Sequence, residues 1–84
     1  MRMKITVYGP GCAKCAKAEE AVKAAVVQAG VEAEVAHVTD IVEIAKAGIL
    51  MTPGVAIDGK VVTKGKVPEV AELVSAIMTA QEGN

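Results

Sequence analysis

Aromatic side chains are almost missing from this 84-residue chain, which has no tryptophan or phenylalanine and contains Tyr8 as its only aromatic residue. The core must therefore be assembled from Val, Ala, Ile, Leu and Met, which favours closely packed helices against a compact sheet. A chain of this length buries only about 60–65% of its unfolded surface, so the core is small. We expect one domain over residues 1–80 and a C-terminal tail over residues 81–84.

An excess of charge of either sign is also missing. Nine basic and ten acidic residues are scattered along the chain, and the formal net charge is -1. Proteins that bind nucleic acids or anionic lipids usually carry clustered lysine and arginine. We therefore expect neither kind of partner.

Long hydrophobic runs are absent as well, because no apolar stretch approaches the roughly 20 residues that cross a bilayer. Residues 1–9 carry a positive flank, but Lys4 and Thr6 interrupt the apolar segment that a secretory signal requires. We expect a cytoplasmic monomer with no membrane contact, while a cleaved precursor stays open as an alternative.

Cysteine is scarce, and its placement is the main functional signal of the sequence. Cys12 and Cys15 are the only two cysteines, and they lie three positions apart where a strand pattern gives way to a helix pattern. In a reducing cytoplasm such a pair is more often catalytic or metal-binding than a structural crosslink. Two cysteines that serve only as small hydrophobic core residues could show the same spacing by chance. Their position between a strand and a helix, after a chain break, favours a redox pair instead.

Hydrophobic periodicity predicts strand, helix and strand in the first half of the chain. Residues 3–8 alternate apolar and polar side chains and are rich in β-branched residues. After the Gly-Pro-Gly break at 9–11, apolar residues recur every three or four positions from 13 to 29, which predicts a helix that ends at Gly30. Residues 31–38 alternate again and indicate a second strand with one solvated face, at a sheet edge.

The second half predicts a short helix, a hairpin and a final helix. Asp40 and Glu43 form the pattern of a capping box at the start of the short helix. Asp58 and Gly59 lie between two β-rich runs, which predicts an antiparallel hairpin with a type I′ turn. Pro68 is predicted to take the first position of the last helix.

The predicted order is therefore βαβαββα, an α/β fold. The first two strands are joined by a helix and should be parallel, with a right-handed crossover. The cysteine loop then follows a central strand at its carboxyl end, where open α/β sheets usually place their sites.

The helical spacing places the two thiols in different environments. Cys15 begins the inward apolar stripe of the first helix, whereas Cys12 lies at or before its N-terminus. Unpaired N–H groups and the positive end of the helix dipole stabilise a thiolate, so we expect Cys12 to be the acidic nucleophile. It would attack a target disulfide, and Cys15 would resolve the mixed disulfide. Lys14 either adds positive potential near Cys12 or is an ordinary solvated lysine.

The stretch YGPGCAKC after the first strand, TPG at 52–54 before a hairpin and the βαβαββα order resemble the thioredoxin fold over almost the whole chain. More narrowly, the chain is similar to glutaredoxin-like thioredoxins, also called redox-active disulfide proteins. The resemblance implies a minimal thioredoxin fold, with a four-stranded mixed sheet flanked by three helices. It implies that Pro53 is cis and lies against the disulfide. It also assigns substrate binding to Thr52, through its backbone, to Pro53 and to Gly11.

The sequence departs from the family pattern at two places. Thioredoxins proper have a tryptophan before the first cysteine and a buried aspartate on the preceding strand, where this chain has Gly11 and Thr6. The proton of Cys15 would then have to leave through water or another group. Glutaredoxins carry C-P-Y-C and a glycine pair with an acid that hold glutathione, so CAKC and VTKGKVPE do not favour glutathione as the partner.

Two further residues have a functional and a structural interpretation. Tyr8 lies four residues before Cys12 and either covers the thiols or simply packs its ring. His37 is the only histidine and lies on the second predicted strand, away from the cysteine loop, so a structural or surface role is expected.

We therefore expect a thiol–disulfide oxidoreductase, an electron carrier of cell redox homeostasis. It would reduce protein disulfides by cycling Cys12 and Cys15, with electrons from a disulfide reductase of the thioredoxin-reductase type and no metal or other cofactor. One alternative is a copper carrier, because GPGCAKC is close to the loop that holds Cu(I) in heavy-metal-associated domains. Those domains have the element order βαββαβ and end in a strand, whereas the order predicted here ends in a helix, which argues against this alternative. A redox-inactive adaptor that keeps the fold for protein contacts is the other alternative.

Overall fold

The computed structural model describes residues 3–11 and 13–82. The elements follow the predicted βαβαββα order, and their bounds are β1 (Met3–Tyr8), α1 (Ala13–Ala29), β2 (Ala33–Val38), α2 (Ile41–Lys46), β3 (Gly54–Ile57), β4 (Lys60–Lys64) and α3 (Val70–Glu82). The predicted order and the α/β class are confirmed.

The strands form a four-stranded mixed sheet in the order β2-β1-β3-β4. β1 and β2 are parallel, and the β1–β3 and β3–β4 pairs are antiparallel. Tyr8, the last residue of β1, pairs with Val38 at the end of β2 and with Gly54 at the start of β3. The cysteine loop after β1 and the Thr52-Pro53 loop before β3 therefore meet at one end of the sheet.

The main core lies between one face of the sheet and the helices α1 and α3, and it is aliphatic as predicted. Its fully or nearly buried members are Met3, Ile5, Val7, Ala18, Val22, Ala25, Val55, Ile57, Leu73 and Ile77. Gly54 and Ala56 alternate with the core residues of β3 and therefore face the other side of the sheet. There Gly54 lies against Ile49, since a Cβ built on Gly54 would be 2.8 Å from Ile49 Cδ1.

The hairpin signal and the Asp40 half of the predicted capping box at α2 are also found in the structure. Asp58 and Gly59 have φ values of 50° and 86°, the positive values that a type I′ turn requires at both positions. The Asp58 carboxylate accepts the N–H of Lys4 at 2.8 Å, which ties the hairpin to β1. Asp40 caps α2 by accepting the N–H of Val42 at 2.8 Å.

Helix α3 begins at Val70, two residues later than the prediction from Pro68. The reason is that Glu69 takes the N-cap position. Its carbonyl accepts the N–H of Leu73 at 3.1 Å, and its own N–H donates to Glu72 Oε1 at 3.3 Å. Lys66 Nζ lies 3.1 Å from both carboxylate oxygens of Glu72. Hydrogen bonding to Lys66, and then to the Glu69 backbone, holds the pKa of Glu72 below its usual value.

At its other end α3 continues through Glu82, so residues 81 and 82 of the predicted tail are helical. Residues 83 and 84 lie outside the described part of the chain. Within the described ranges, the helices are all too short or too polar to span a membrane.

Candidate redox site at the N-terminus of α1

The cysteine loop connects the end of β1 to the start of α1. The Gly9 N–H donates to the carbonyl of Val38 at 2.9 Å, which extends the β1–β2 pairing into the loop. Gly11 has a φ of 93°, in the left-handed region where glycine is favoured, and this allows the sharp approach to the helix. Cys12, the predicted nucleophile, lies outside the described residues, and its role stays a prediction.

Cys15 is completely buried in the first turn of α1. It shares its face of the helix with Ala18, Val22 and Ala25, which are all buried as well. This is the inward stripe that the spacing of the apolar residues predicted. The Cys15 thiol is therefore shielded from direct attack by a large substrate.

The sulfur of Cys15 packs against the backbone of Gly9. A Cβ built on Gly9 would overlap Cys15 Sγ and would lie 3.1 Å from Cys15 Cβ. The same position is 3.9 Å from the Cβ of Thr52, so the cysteine loop and the Thr52-Pro53 loop converge on this thiol. Glycine at position 9 is thus a requirement of space rather than of backbone conformation.

The loop before β3 is held by the end of β4. The Thr52-Pro53 peptide bond is cis, as the resemblance implies, and Pro53 is fully buried. The N–H of Gly65 lies 3.0 Å from the carbonyl oxygens of both Met51 and Pro53. Gly65 therefore anchors this loop from both sides of Thr52. Sequence reasoning missed Gly65, whose setting in Lys-Gly-Lys indicates a turn but not its partners.

Lys14 and Tyr8, the two predicted supporting residues, lie on the elements that flank the cysteine loop, and Thr6 occupies the position of the missing aspartate. Lys14 is exposed in the first turn of α1, a turn without acidic residues, and its electrostatic role stays a prediction. Tyr8 is half-buried at the end of β1. Thr6 is buried in the middle of β1, where it pairs with Ala36 and Ala56.

His37 lies at the side of α1. Its Nδ1 is 3.1 Å from Glu19 Oε1, and the other carboxylate oxygen of Glu19 is 3.2 Å from Lys23 Nζ. This chain of contacts ties the edge strand β2 to α1. It agrees with the structural or surface role that the sequence predicted for this residue.

An apolar groove of about 320 Å³ runs beside the site, and sequence reasoning did not predict it. It is lined by Pro10, Ile41, Ile44, Ala45, Ile49, Leu50 and Thr52. Pro10 belongs to the cysteine loop and Thr52 to the cis-proline loop, so the groove is continuous with the site. Ile41 and Leu50 line the groove and are exposed, and we call them, together with their exposed chain neighbours Val42 and Met51, the apolar surface. The run ILM at 49–51 resembles core sequence, yet only Ile49 is buried.

A mixed four-stranded sheet with a buried cysteine at the start of its first helix and a cis-proline loop beside it defines the class of thioredoxin-fold proteins. A family model described as a thioredoxin domain matches residues 3–78. Thioredoxin from Methanocaldococcus jannaschii is 43% identical over 79 residues, which cover 94% of this chain and 91% of that protein. Thioredoxin from Methanothermobacter thermautotrophicus is 37% identical over 71 residues, which cover 84% and 92%. The chain belongs to the thioredoxin family, and its general activity is thiol–disulfide oxidoreduction.

Proposed function

We propose that this protein reduces disulfide bonds in other proteins by cycling Cys12 and Cys15 between dithiol and disulfide. The Cys12 thiolate attacks one sulfur of the target disulfide, forms a mixed disulfide and releases the other target sulfur as a thiolate. Cys15 then loses its proton and attacks Cys12 Sγ, which releases the second target thiol and leaves the Cys12–Cys15 disulfide. Two electrons pass to the target, and a disulfide reductase restores the dithiol.

The observation that carries this proposal is the burial of Cys15 Sγ against Gly9, at the place where Gly9 also approaches Thr52. A buried thiol is protected from incoming substrates, and Cys15 follows the residue before α1 by three positions in the sequence. The positive end of α1 and the charge of Lys14 favour a thiolate at that preceding position. These features support the division of roles between an attacking and a resolving cysteine.

Resolution requires a base for the Cys15 proton. Among the described residues, the buried polar side chain near the sheet centre is Thr6, and a hydroxyl is not a base at neutral pH. The proton would then leave through water or another group. The cycle needs no metal and no cofactor besides the two cysteines, and we propose that it operates in the cytoplasm with the protein as a monomer.

Substrate docking is assigned to the apolar surface and its groove. The groove shares Pro10 and Thr52 with the two loops of the redox site. We therefore expect a polypeptide whose disulfide reaches the cysteine loop to contact the groove. Leu50 is 90% exposed, and its burial under a substrate would be favourable. The expected occupant is an uncharged segment of polypeptide next to the target cysteine.

Introducing a charge at Leu50 tests this docking. With insulin as the disulfide substrate, Leu50→Lys is expected to lower kcat/KM roughly tenfold through a higher KM, because the lysine must be desolvated when the substrate binds. Reduction of hydroxyethyl disulfide, which is too small to cover the surface, should keep its wild-type rate.

The matched control is Val27→Lys. Val27 is 79% exposed on α1 and does not line the groove. It should leave both rates unchanged. Equal insulin kinetics for Leu50→Lys and Val27→Lys would show that the apolar surface takes no part in docking.

The copper-carrier alternative rests on the two thiols alone. In the part of the chain that the structure describes, no three His, Cys, Asp or Glu side chains are grouped so that they could hold a metal ion. Titration with Cu(I) in competition with a small thiol, followed by analysis of the bound metal, separates a carrier from an oxidoreductase.

A further inference from the structure

We propose that Met51 is an oxidation site at which hydroperoxides regulate substrate docking. Conversion of its thioether to the sulfoxide would weaken the binding of protein substrates and leave the cysteine chemistry intact. The inference rests on the proposed function, because it takes the apolar surface as the place where substrates dock.

The chemical step is an oxygen transfer. The Met51 Sδ lone pair attacks the outer oxygen of a hydroperoxide, the O–O bond breaks, and an S=O bond forms. The thioether loses two electrons, and the peroxide is reduced to water or an alcohol that keeps the proton. A thiol-dependent sulfoxide reductase reverses the change by oxidising two thiols to a disulfide and releasing water.

Exposure and position together distinguish Met51 from the other methionines that the structure describes. Met51 is 66% exposed, Met78 on α3 is 47% exposed, and Met3 in the core is 7% exposed. Met51 and Met78 are therefore both open to a small oxidant, whereas Met3 is protected. Of the two open methionines, only Met51 lies beside the redox site.

The side chain of Met51, in the loop that carries Pro53, packs against Gly65 after the end of β4. A Cβ built on Gly65 would lie 3.2 Å from Met51 Cβ and 3.6 Å from both Met51 Sδ and Met51 Cε. The side chain thus runs along the backbone of Gly65, whose N–H lies 3.0 Å from the carbonyl oxygens of Met51 and Pro53. An oxygen added to Sδ is consequently placed next to the residues that position Thr52.

A sulfoxide is a strong hydrogen-bond acceptor, and covering it with an apolar substrate segment costs desolvation. We therefore expect oxidation of Met51 to lower kcat/KM for insulin roughly fivefold to tenfold. Hydroxyethyl disulfide does not need the apolar surface, so its rate should not change.

The test compares the full-length wild-type protein with Met51→Leu and Met78→Leu. Each protein is first oxidised at its cysteines, treated with hydrogen peroxide, and then reduced with dithiothreitol, which regenerates thiols but leaves sulfoxides. Peptide mapping by mass spectrometry measures the sulfoxide at each methionine and verifies both thiols. Each rate is expressed relative to the untreated sample of the same variant.

After peroxide treatment, the wild type and Met78→Leu should lose roughly fivefold to tenfold of their insulin activity and recover it with a methionine sulfoxide reductase, whereas the activity of Met51→Leu should equal that of its own untreated sample. Complete oxidation of Met51 without a change in the insulin rate overturns this inference alone. An equal loss in Met51→Leu and wild type also overturns it. An untreated wild-type protein that does not reduce insulin overturns the proposed function and this inference together.

Discussion

Replacing Cys12 with serine is expected to lower insulin reduction to the uncatalysed background. A serine hydroxyl does not ionise at neutral pH and forms no mixed disulfide, so the first step of the proposed cycle cannot take place. The rate is measured by the turbidity of reduced insulin with dithiothreitol as the electron source. Circular dichroism during thermal unfolding verifies that the variant is folded.

Replacing Cys15 with serine should give a different result from the same assay. The attack by Cys12 still occurs, but nothing resolves the mixed disulfide, so a covalent adduct accumulates at Cys12 and turnover stops. Mass spectrometry of the product detects the adduct and locates it. Wild-type turnover in both variants would refute the assignment of the two cysteines.

Replacing Gly9 with alanine is expected to lower both the folding stability and the insulin turnover. The new methyl would overlap Cys15 Sγ, so either the sulfur or the cysteine loop must move. Overpacking of this kind typically costs about 1–3 kcal/mol of folding stability. Because the moved sulfur is the proposed resolving thiol, we also expect slower resolution and a marked loss of insulin turnover.

A control and a double-mutant cycle isolate this effect. Gly59→Ala, in the hairpin turn, meets no atom within 4 Å but has a φ of 86°, so it should lose about 1–2 kcal/mol through backbone strain and keep its insulin turnover. In a Cys15→Ala background the sulfur is absent, and Gly9→Ala should cost less stability there than in the wild type. Equal costs in the two backgrounds, measured by urea unfolding, would contradict the packing of Gly9 against the sulfur.

Much of the fold could be predicted because local patterns and tertiary packing agree in this chain. The alternation in residues 3–8 and the stripe that includes Cys15 identify the strand and helix that join at the site. Asp58-Gly59 identified the hairpin. The cis bond at Pro53 was expected only from the family resemblance, since cis isomers are about 5–6% of X-Pro bonds in folded proteins.

The details of the site could not be predicted because they are contacts between residues distant in sequence. Gly9 looks like part of a turn signal, and only the structure shows that Cys15 Sγ occupies the space of its missing side chain. Gly65 likewise gives no sign of the loop that it anchors. Periodicity identifies residues that can be buried, but it does not show that Leu50 and Met51 remain exposed while Ile49 is buried.

The central claim is that Cys12 and Cys15 form a reversible redox pair, and the most direct test is a redox titration with mass-spectrometric mapping of the cysteines. The protein is equilibrated in thiol–disulfide buffers of known potential, trapped by alkylation and digested. We predict a single two-electron transition between about -200 and -270 mV, with the oxidised form linked between Cys12 and Cys15. Failure of this intramolecular disulfide to form at any potential in the series would contradict the account.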